Sequence, residues 1–151
     1  EYLASGLECR VIFLDHLSIL LSGLDGDERR MIDSTMTRLR SLVERTGITL
    51  FLVSHLRRSN SDSNSHEEGG RVSLGQLRGS HSISQISDCV IALERDQQSE
   101  DSNNTTTVRV LKNRHSGEVG VATRLDYDLS TCKFYENKTT EQPEFDPTVD
   151  F

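Results

Sequence analysis

Two short runs of branched and aromatic apolar residues, from Arg10 to Leu14 and from Thr49 to Val53, flank one long amphipathic stretch. That pattern restricts the fold more than any other feature of the chain. Four or five apolar residues in a row, with Val, Ile and Phe prominent, read as buried strands. Between them, Ile32, Met36, Leu39 and Val43 recur at steps of four, three and four, which puts them on one face of a helix over about Asp27 to Thr46. Asp25 or Asp27 can cap its start, Glu28 suits its first turn, and Gly47 suits its end. A strand, a helix and a strand at this spacing form a βαβ unit with a right-handed crossover, and hence a parallel sheet.

Beyond this unit, Ser59 to Gly70 is rich in Ser, Asn and Gly and is expected to be a mobile loop. Ser80 to Ser87 reads as a short helix burying Ile83 and Ile86. Strands are expected at Cys89–Leu93, Thr106–Leu111 and Val119–Asp126, with a polar loop at Gln97–Asn104 and a short edge strand at Lys133–Glu136. From Asn137 onward periodicity is lost and both prolines, Pro143 and Pro147, occur, so disorder is expected. The organisation is therefore a domain over residues 1–136 and an acidic tail over 137–151.

The 151 residues suit one ordinary domain. The first residue is Glu and the text starts abruptly, so a piece of a longer protein is expected. No apolar run is longer than the five residues Cys89 to Leu93, far short of the ~20 residues of a membrane helix, and no leader pattern opens the chain. A net charge of −7 argues against a protein that simply coats nucleic acid. Much of that charge lies in residues 136–151, where Glu136, Glu141, Glu144, Asp146 and Asp150 oppose only Lys138. Cys9, Cys89 and Cys132 are widely spaced and without a C-x-x-C pair, which points to reduced, mostly buried thiols rather than to disulfides or structural zinc.

Several residues are placed to carry chemistry. Asp15 follows a buried strand, at the edge where open α/β sheets bind ligands. A carboxylate there either caps the next loop or holds a Mg²⁺-bound water beside a nucleotide. His55 ends the neighbouring strand and would face the same edge, whereas alternation sends His16 away from Asp15. Lys112 and Arg114 end a strand and by alternation share a side, either as a solvated pair or as a phosphate-sensing pair. Arg57, Arg58, Arg71 and Arg78 bracket the Ser-rich loop, and they either solubilise it or meet a phosphate backbone. Composition does not decide whether Gln85 and Ser84 face the core or a site. Read alone, Glu94, Arg95 and Tyr127 are ordinary strand-end residues.

The segments VIFLDH, FLVSHL, HEEGGRVSLGQLRGS, QISDCVIALER and VLKNRHSGEVG, followed by the acidic end, occur in an order and spacing that cover essentially the whole chain. In these the chain resembles the carboxyl-terminal part of the ring-shaped replicative primase–helicases of short-tailed, coliphage-type phages. Twinkle and the bacterial DnaB-type helicases are more distant relatives. The resemblance implies an α/β, RecA-like parallel sheet flanked by helices, with a carboxyl-terminal β-hairpin region. It also implies a hexamer or heptamer that binds Mg²⁺ with ATP or dTTP between subunits. By this resemblance Asp15 is the Walker B aspartate, holding Mg²⁺ through water. His55 and Gln85 sense the γ-phosphate, Arg114 is the finger donated in trans with Lys112 beside it, and Arg95 and Tyr127 lie near the base. The loop bearing Arg57, Arg58, Arg71 and Arg78 would track single-stranded DNA. The tail with Glu141, Glu144, Asp146, Asp150 and Phe151 would dock a replicative DNA polymerase, in the cytoplasm of an infected bacterial host.

The chain departs from the family at three points. No G-x-x-x-x-G-K-[ST] occurs in it, so the phosphate cradle is missing and this stretch alone is not expected to hydrolyse ATP. The channel loop carries Ser and Asn where the family carries lysine, and Ser84 replaces a family arginine that touches DNA. Fewer phosphate contacts would make the salt dependence of binding shallower. Two other functions compete: a docking module that recruits a polymerase through its tail, and a hydrolytic metal site of Asp15, His16 and His55. The spacing of those three residues fits no common metal pattern.

Overall fold

The computed structural model describes residues 2–22, 26–57, 68–77, 81–100 and 102–137. They belong to two compact units, Glu1–Ser61 with Ser73–Val90, and Asp62–Val72 with Ile91–Phe151.

The first unit is built on β1 (Val11–Leu14) and β2 (Thr49–Leu52), paired in parallel with Val11 opposite Thr49 and Leu14 opposite Leu52. The crossover contains α1 (Leu17–Leu21) and α2 (Glu28–Thr46). Asp27 caps α2 as expected, its carboxylate accepting from the amides of Arg29 at 2.9 Å and Arg30 at 3.3 Å. Gly47 ends the helix in the left-handed region at φ 65°, its amide donating to the Val43 carbonyl. The predicted face packs inward: Ile32 and Met36 are buried with Leu17, Leu21 and Ile83, and Leu52, Leu77 and Ile86 pack around them. Ile83 arrives on α3 (Ser82–Ile86), a shorter helix than the predicted one. The Arg40 guanidinium donates to Asp88 beyond α3 and to Glu44 within α2, each at 2.7 Å. A π-helical turn at Tyr2–Gly6 and the helix α1 were not expected, because five-residue stretches are too short to show a helical period.

The strands differ from the expectation of full burial. Along β1 and β2, exposed and half-buried residues alternate, and Phe13 stacks on Phe51 at 4.7 Å on the exposed face. Among the described residues the helical core packs on the other face, which carries Leu52.

The second unit contains β3 (Cys89–Glu94, entering from the first), β4 (Thr105–Asn113), β5 (Gly120–Asp128) and β6 (Lys133–Glu136), in that spatial order. The β4–β5 and β5–β6 pairs are antiparallel, with a bulge at Val108/Arg109. In the β5–β6 turn the Asp128 carboxylate accepts from the Ser130 amide and hydroxyl and from the Thr131 hydroxyl. The hydroxyl and amide of Ser130, then the Thr131 hydroxyl, hold this carboxyl below its ordinary range. None of the three cysteines is in a disulfide, and Cys89 and Cys132 are exposed while Cys9 is half-buried, which corrects the expectation of buried thiols. Cys89 shares the exposed face of β3 with Ile91 and Leu93, and Cys132 sits in the hairpin turn at φ 54°. No helix among the described residues is long and apolar enough to cross a membrane.

Truncating Met36 to Ala should cost about 2–4 kcal/mol by cavity formation. Asp27→Ala should cost about 1 kcal/mol through the lost cap. Equilibrium urea unfolding measures both.

Candidate functional site at the strand ends

Parallel pairing brings the carboxyl ends of β1 and β2 to one edge, and the backbone pairing continues past the strands. The Val53 amide donates to the Leu14 carbonyl at 3.0 Å, and the Leu17 amide donates to the Val53 carbonyl at 3.0 Å. Asp15 and His16 are thus held between two bonds to a single residue of the other strand, with a cis peptide bond joining them. The Asp15 side chain is 77% exposed. The His16 Nδ1 lies 3.7 Å from Asp15 Oδ1, and the His16 ring meets that of His55 edge-on, with centroids 4.2 Å apart. His16 therefore faces the site, contrary to the alternation argument, because β1 has ended at Leu14 and the period of two no longer applies.

No group of three His, Cys, Asp or Glu side chains among the described residues is placed to hold a metal ion, Asp15, His16 and His55 included. The geometry thus lends no support to the metal-hydrolase alternative. Mg²⁺ is a different case, because it keeps most of its waters and asks for one or two carboxylates beside substrate phosphates. One solvent-open carboxylate at a strand end fits that demand.

Two residues beyond His55 the chain enters the stem of the basic loop. Leu56 bridges Leu77 in antiparallel fashion, and the Arg57 amide donates to the Gln76 carbonyl at 2.8 Å. The far side of this stem is a 3₁₀ turn, Leu74–Gln76, closed by the Ser73–Gln76 capping box. Arg57 and Arg71 are exposed, whereas Arg58, Arg78 and most of the Ser-rich stretch lie outside the described residues. Gln85 is exposed on α3, two positions after the buried Ile83.

In the second unit, Arg95 follows β3 and is exposed. Tyr127 pairs with Phe134 across β5–β6, their rings 5.0 Å apart. A hydrogen bond with Cys132 and partial burial push its phenol upward. Lys112 is half-buried within β4, while Arg114 is exposed in the following turn. That turn is tied by Asn113, whose side chain accepts from the amides of His115 and Ser116. The tail residues Glu141, Glu144, Asp146, Asp150 and Phe151 lie outside the described residues.

Sequence reasoning took Glu94 for an ordinary strand-end residue and missed Arg109. Glu94 is 8% exposed, and both its oxygens take the Arg109 guanidinium, Nε at 2.9 and 3.1 Å and Nη2 at 3.0 Å. It also accepts from the Val72 amide at 2.8 Å. The available signal was a charge at the end of the apolar run CVIALE, opposed by an arginine within TTTVRV. Burial works to raise the Glu94 pKa, but the Arg109 and Val72 hydrogen bonds and the nearby Arg71 charge outweigh it and hold the carboxyl below its ordinary value.

A depressed carboxylate adds stability that is fully present above its unfolded pKa and is lost as pH falls through the lower folded value. Glu94→Gln should therefore cost about 2–3 kcal/mol at neutral pH, with Arg109 left uncompensated. That difference should shrink only below about pH 4.5, as read by urea unfolding at a series of pH values.

Comparison with known proteins identifies the family and the fold. Residues 3–136 match the family model described as DnaB-like helicase C terminal domain. The chain is 44% identical over 131 residues to a DNA helicase/primase of Enterobacteria phage T3, covering 86% of this chain and 23% of that protein. The chain thus spans about a quarter of that relative's length. Among solved structures, a DnaB-like replicative helicase, described with its interactions with primase, superposes with TM-score 0.66 at 20% identity, covering 82% of this chain and 30% of that one. A second, described as an ATPase domain, gives 0.63 at 23% identity, covering 82% and 43%. These two likenesses establish the α/β, RecA-like fold. With nearly all of the described structure inside the family match, the chain belongs to the DnaB-like helicase C-terminal domain family.

Proposed function

We propose that the chain is the carboxyl-terminal part of the motor of a nucleoside-triphosphate-driven replicative DNA helicase. The motor would be a ring of six or seven subunits moving 5′ to 3′ on single-stranded DNA at a phage replication fork, in the cytoplasm of the infected bacterium. Residues 1–136 would belong to the motor, and 137–151 would form its tail. The observation that carries this reading is the junction at His55. The imidazole that shares an edge with Asp15 lies only two residues from Arg57, whose amide is bonded into the stem of the basic loop. Any displacement of His55 by a bound phosphate is passed through that short backbone span to the loop.

When bound, Mg²⁺ with ATP or dTTP supplies the transferable phosphoryl group and neutralises its charge. Asp15 would hold Mg²⁺ through a water. His55 and Gln85 would hydrogen-bond the γ-phosphate, and Arg95 and Tyr127 would border the base. Arg114, exposed in its turn, would reach a neighbouring subunit's nucleotide as an arginine finger, with Lys112 beside it. Arg57, Arg58, Arg71 and Arg78 would contact the single-stranded DNA backbone. Glu141, Glu144, Asp146, Asp150 and Phe151 would dock a DNA polymerase, an aromatic anchor among acids suiting a basic groove.

In the full-length ring, Arg114→Ala should lower DNA-stimulated turnover about 1,000-fold or more while single-subunit nucleotide binding persists. Retained turnover would remove the finger assignment. Deleting 141–151 should abolish coupling to the polymerase and leave unwinding intact; loss of all activity would favour the docking-module alternative.

A further inference from the structure

Residues 68–72 and 94–96 run alongside each other within the second unit as two rails. At one end Glu68 bridges Asp96 in antiparallel fashion. Gly69 stands there at φ +74°, and a Cβ added to it would lie 3.0 Å from the Asp96 Cβ, so a side chain at this position would be strained and would crowd the second rail. Asp96 is itself fixed, its carboxylate accepting from the amides of Gln98 at 2.9 Å and Ser99 at 3.0 Å. At the other end the amide of Val72, a residue only 4% exposed, donates to Glu94 Oε1 at 2.8 Å, and Glu94 is gripped by Arg109. Each rail carries one exposed arginine between these fastenings, Arg71 on the first and Arg95 on the second.

A buried carboxylate that accepts one backbone amide and a bidentate guanidinium has little freedom to move, and it fixes the backbone that it binds. The Val72 amide belongs to the residue after Arg71, so the position of Arg71 is set by Glu94 rather than by its own loop. We infer that Glu94 is a positioning residue for the motor: through Val72 it holds Arg71 in register with Arg95, so that a DNA-side and a nucleotide-side arginine move as one piece. The inference rests on the reading above that Arg71 meets single-stranded DNA. Glu94 touches neither ligand and acts through Arg71. Gly69 serves the same register from the other end.

The test uses the full-length protein that carries this chain, with oligo(dT) as the DNA. Turnover is measured without and with DNA, and oligo(dT) affinity by fluorescence anisotropy. Glu94→Gln should raise the oligo(dT) concentration for half-maximal stimulation about ten-fold, with DNA-independent turnover held within about two-fold of wild type. Gly69→Ala, which forces the rails apart without removing a charge, should act in the same direction and serves if Glu94→Gln fails to fold. The double variant Arg71→Ala/Glu94→Gln should be no worse than Arg71→Ala alone, because a residue acting through Arg71 has nothing left to position. Additive losses, or equal loss of DNA-independent and DNA-stimulated turnover, overturn the inference and leave the helicase reading standing. A wild-type protein whose turnover is indifferent to oligo(dT), or Arg71→Ala without effect on affinity, overturns the DNA reading at Arg71 and the inference with it.

Discussion

The backbone ladder between β1 and β2 does not stop where the strands stop. Val53 accepts from Leu17 and donates to Leu14, so the two residues between, Asp15 and His16, are held by a frame of main-chain bonds on the partner strand. Main-chain hydrogen bonds fix the backbone itself, with no rotatable side chain between the bonded atoms, which makes this frame stiffer than a side-chain contact would be. The edge-on meeting of His16 and His55 follows from it, as does the exposure of Asp15. With Leu14 opposite Leu52, a one-residue slip of β2 would turn Phe51 inward and expose Leu52, which packs on the helical core.

The helices serve that frame. Ile32 and Met36 on α2, Leu17 and Leu21 on α1 and Ile83 on α3 form one buried cluster, and Asp27 and Gly47 set the ends of the longest helix. The Arg40–Asp88 pair ties α2 to the chain leaving α3, so Gln85 is held by a short helix anchored at Ile83 and just beyond its end. In the second unit an ion pair takes the place of an apolar core contact. Glu94 at the end of β3 meets Arg109 in the middle of β4, and the Val72 amide also donates to the carboxylate. Such a pair adds less net stability than an apolar replacement of equal volume often does. Its geometric definition is what an apolar contact lacks.

How much could be read in advance depended on the range of the interaction. The βαβ unit, the cap at Asp27, the stop at Gly47 and the edge strand Lys133–Glu136 rest on periods and propensities that operate within a few residues, and each is present where expected. The five-residue helix α1 was illegible because it is shorter than two turns. The contact of His16 with Asp15 was misjudged because alternation was carried beyond the strand that gave it meaning. Cys89 and Cys132 illustrate a different gap: their exposure depends on which strand face receives cover and on a turn's backbone conformation.

Local order along the chain therefore determined the elements, their sequence and the placing of Asp15 and His55 at strand ends, because side-chain periodicity and capping are encoded in neighbouring residues. The tertiary structure alone decided that His16 turns toward His55, that Phe13 and Phe51 stack on an exposed face, and that Glu94 reaches Val72 and Arg109. Those partners lie 15 to 39 residues apart. Contacts at that distance arise from packing, where desolvation and mutual geometry select among pairings that no short window of sequence distinguishes.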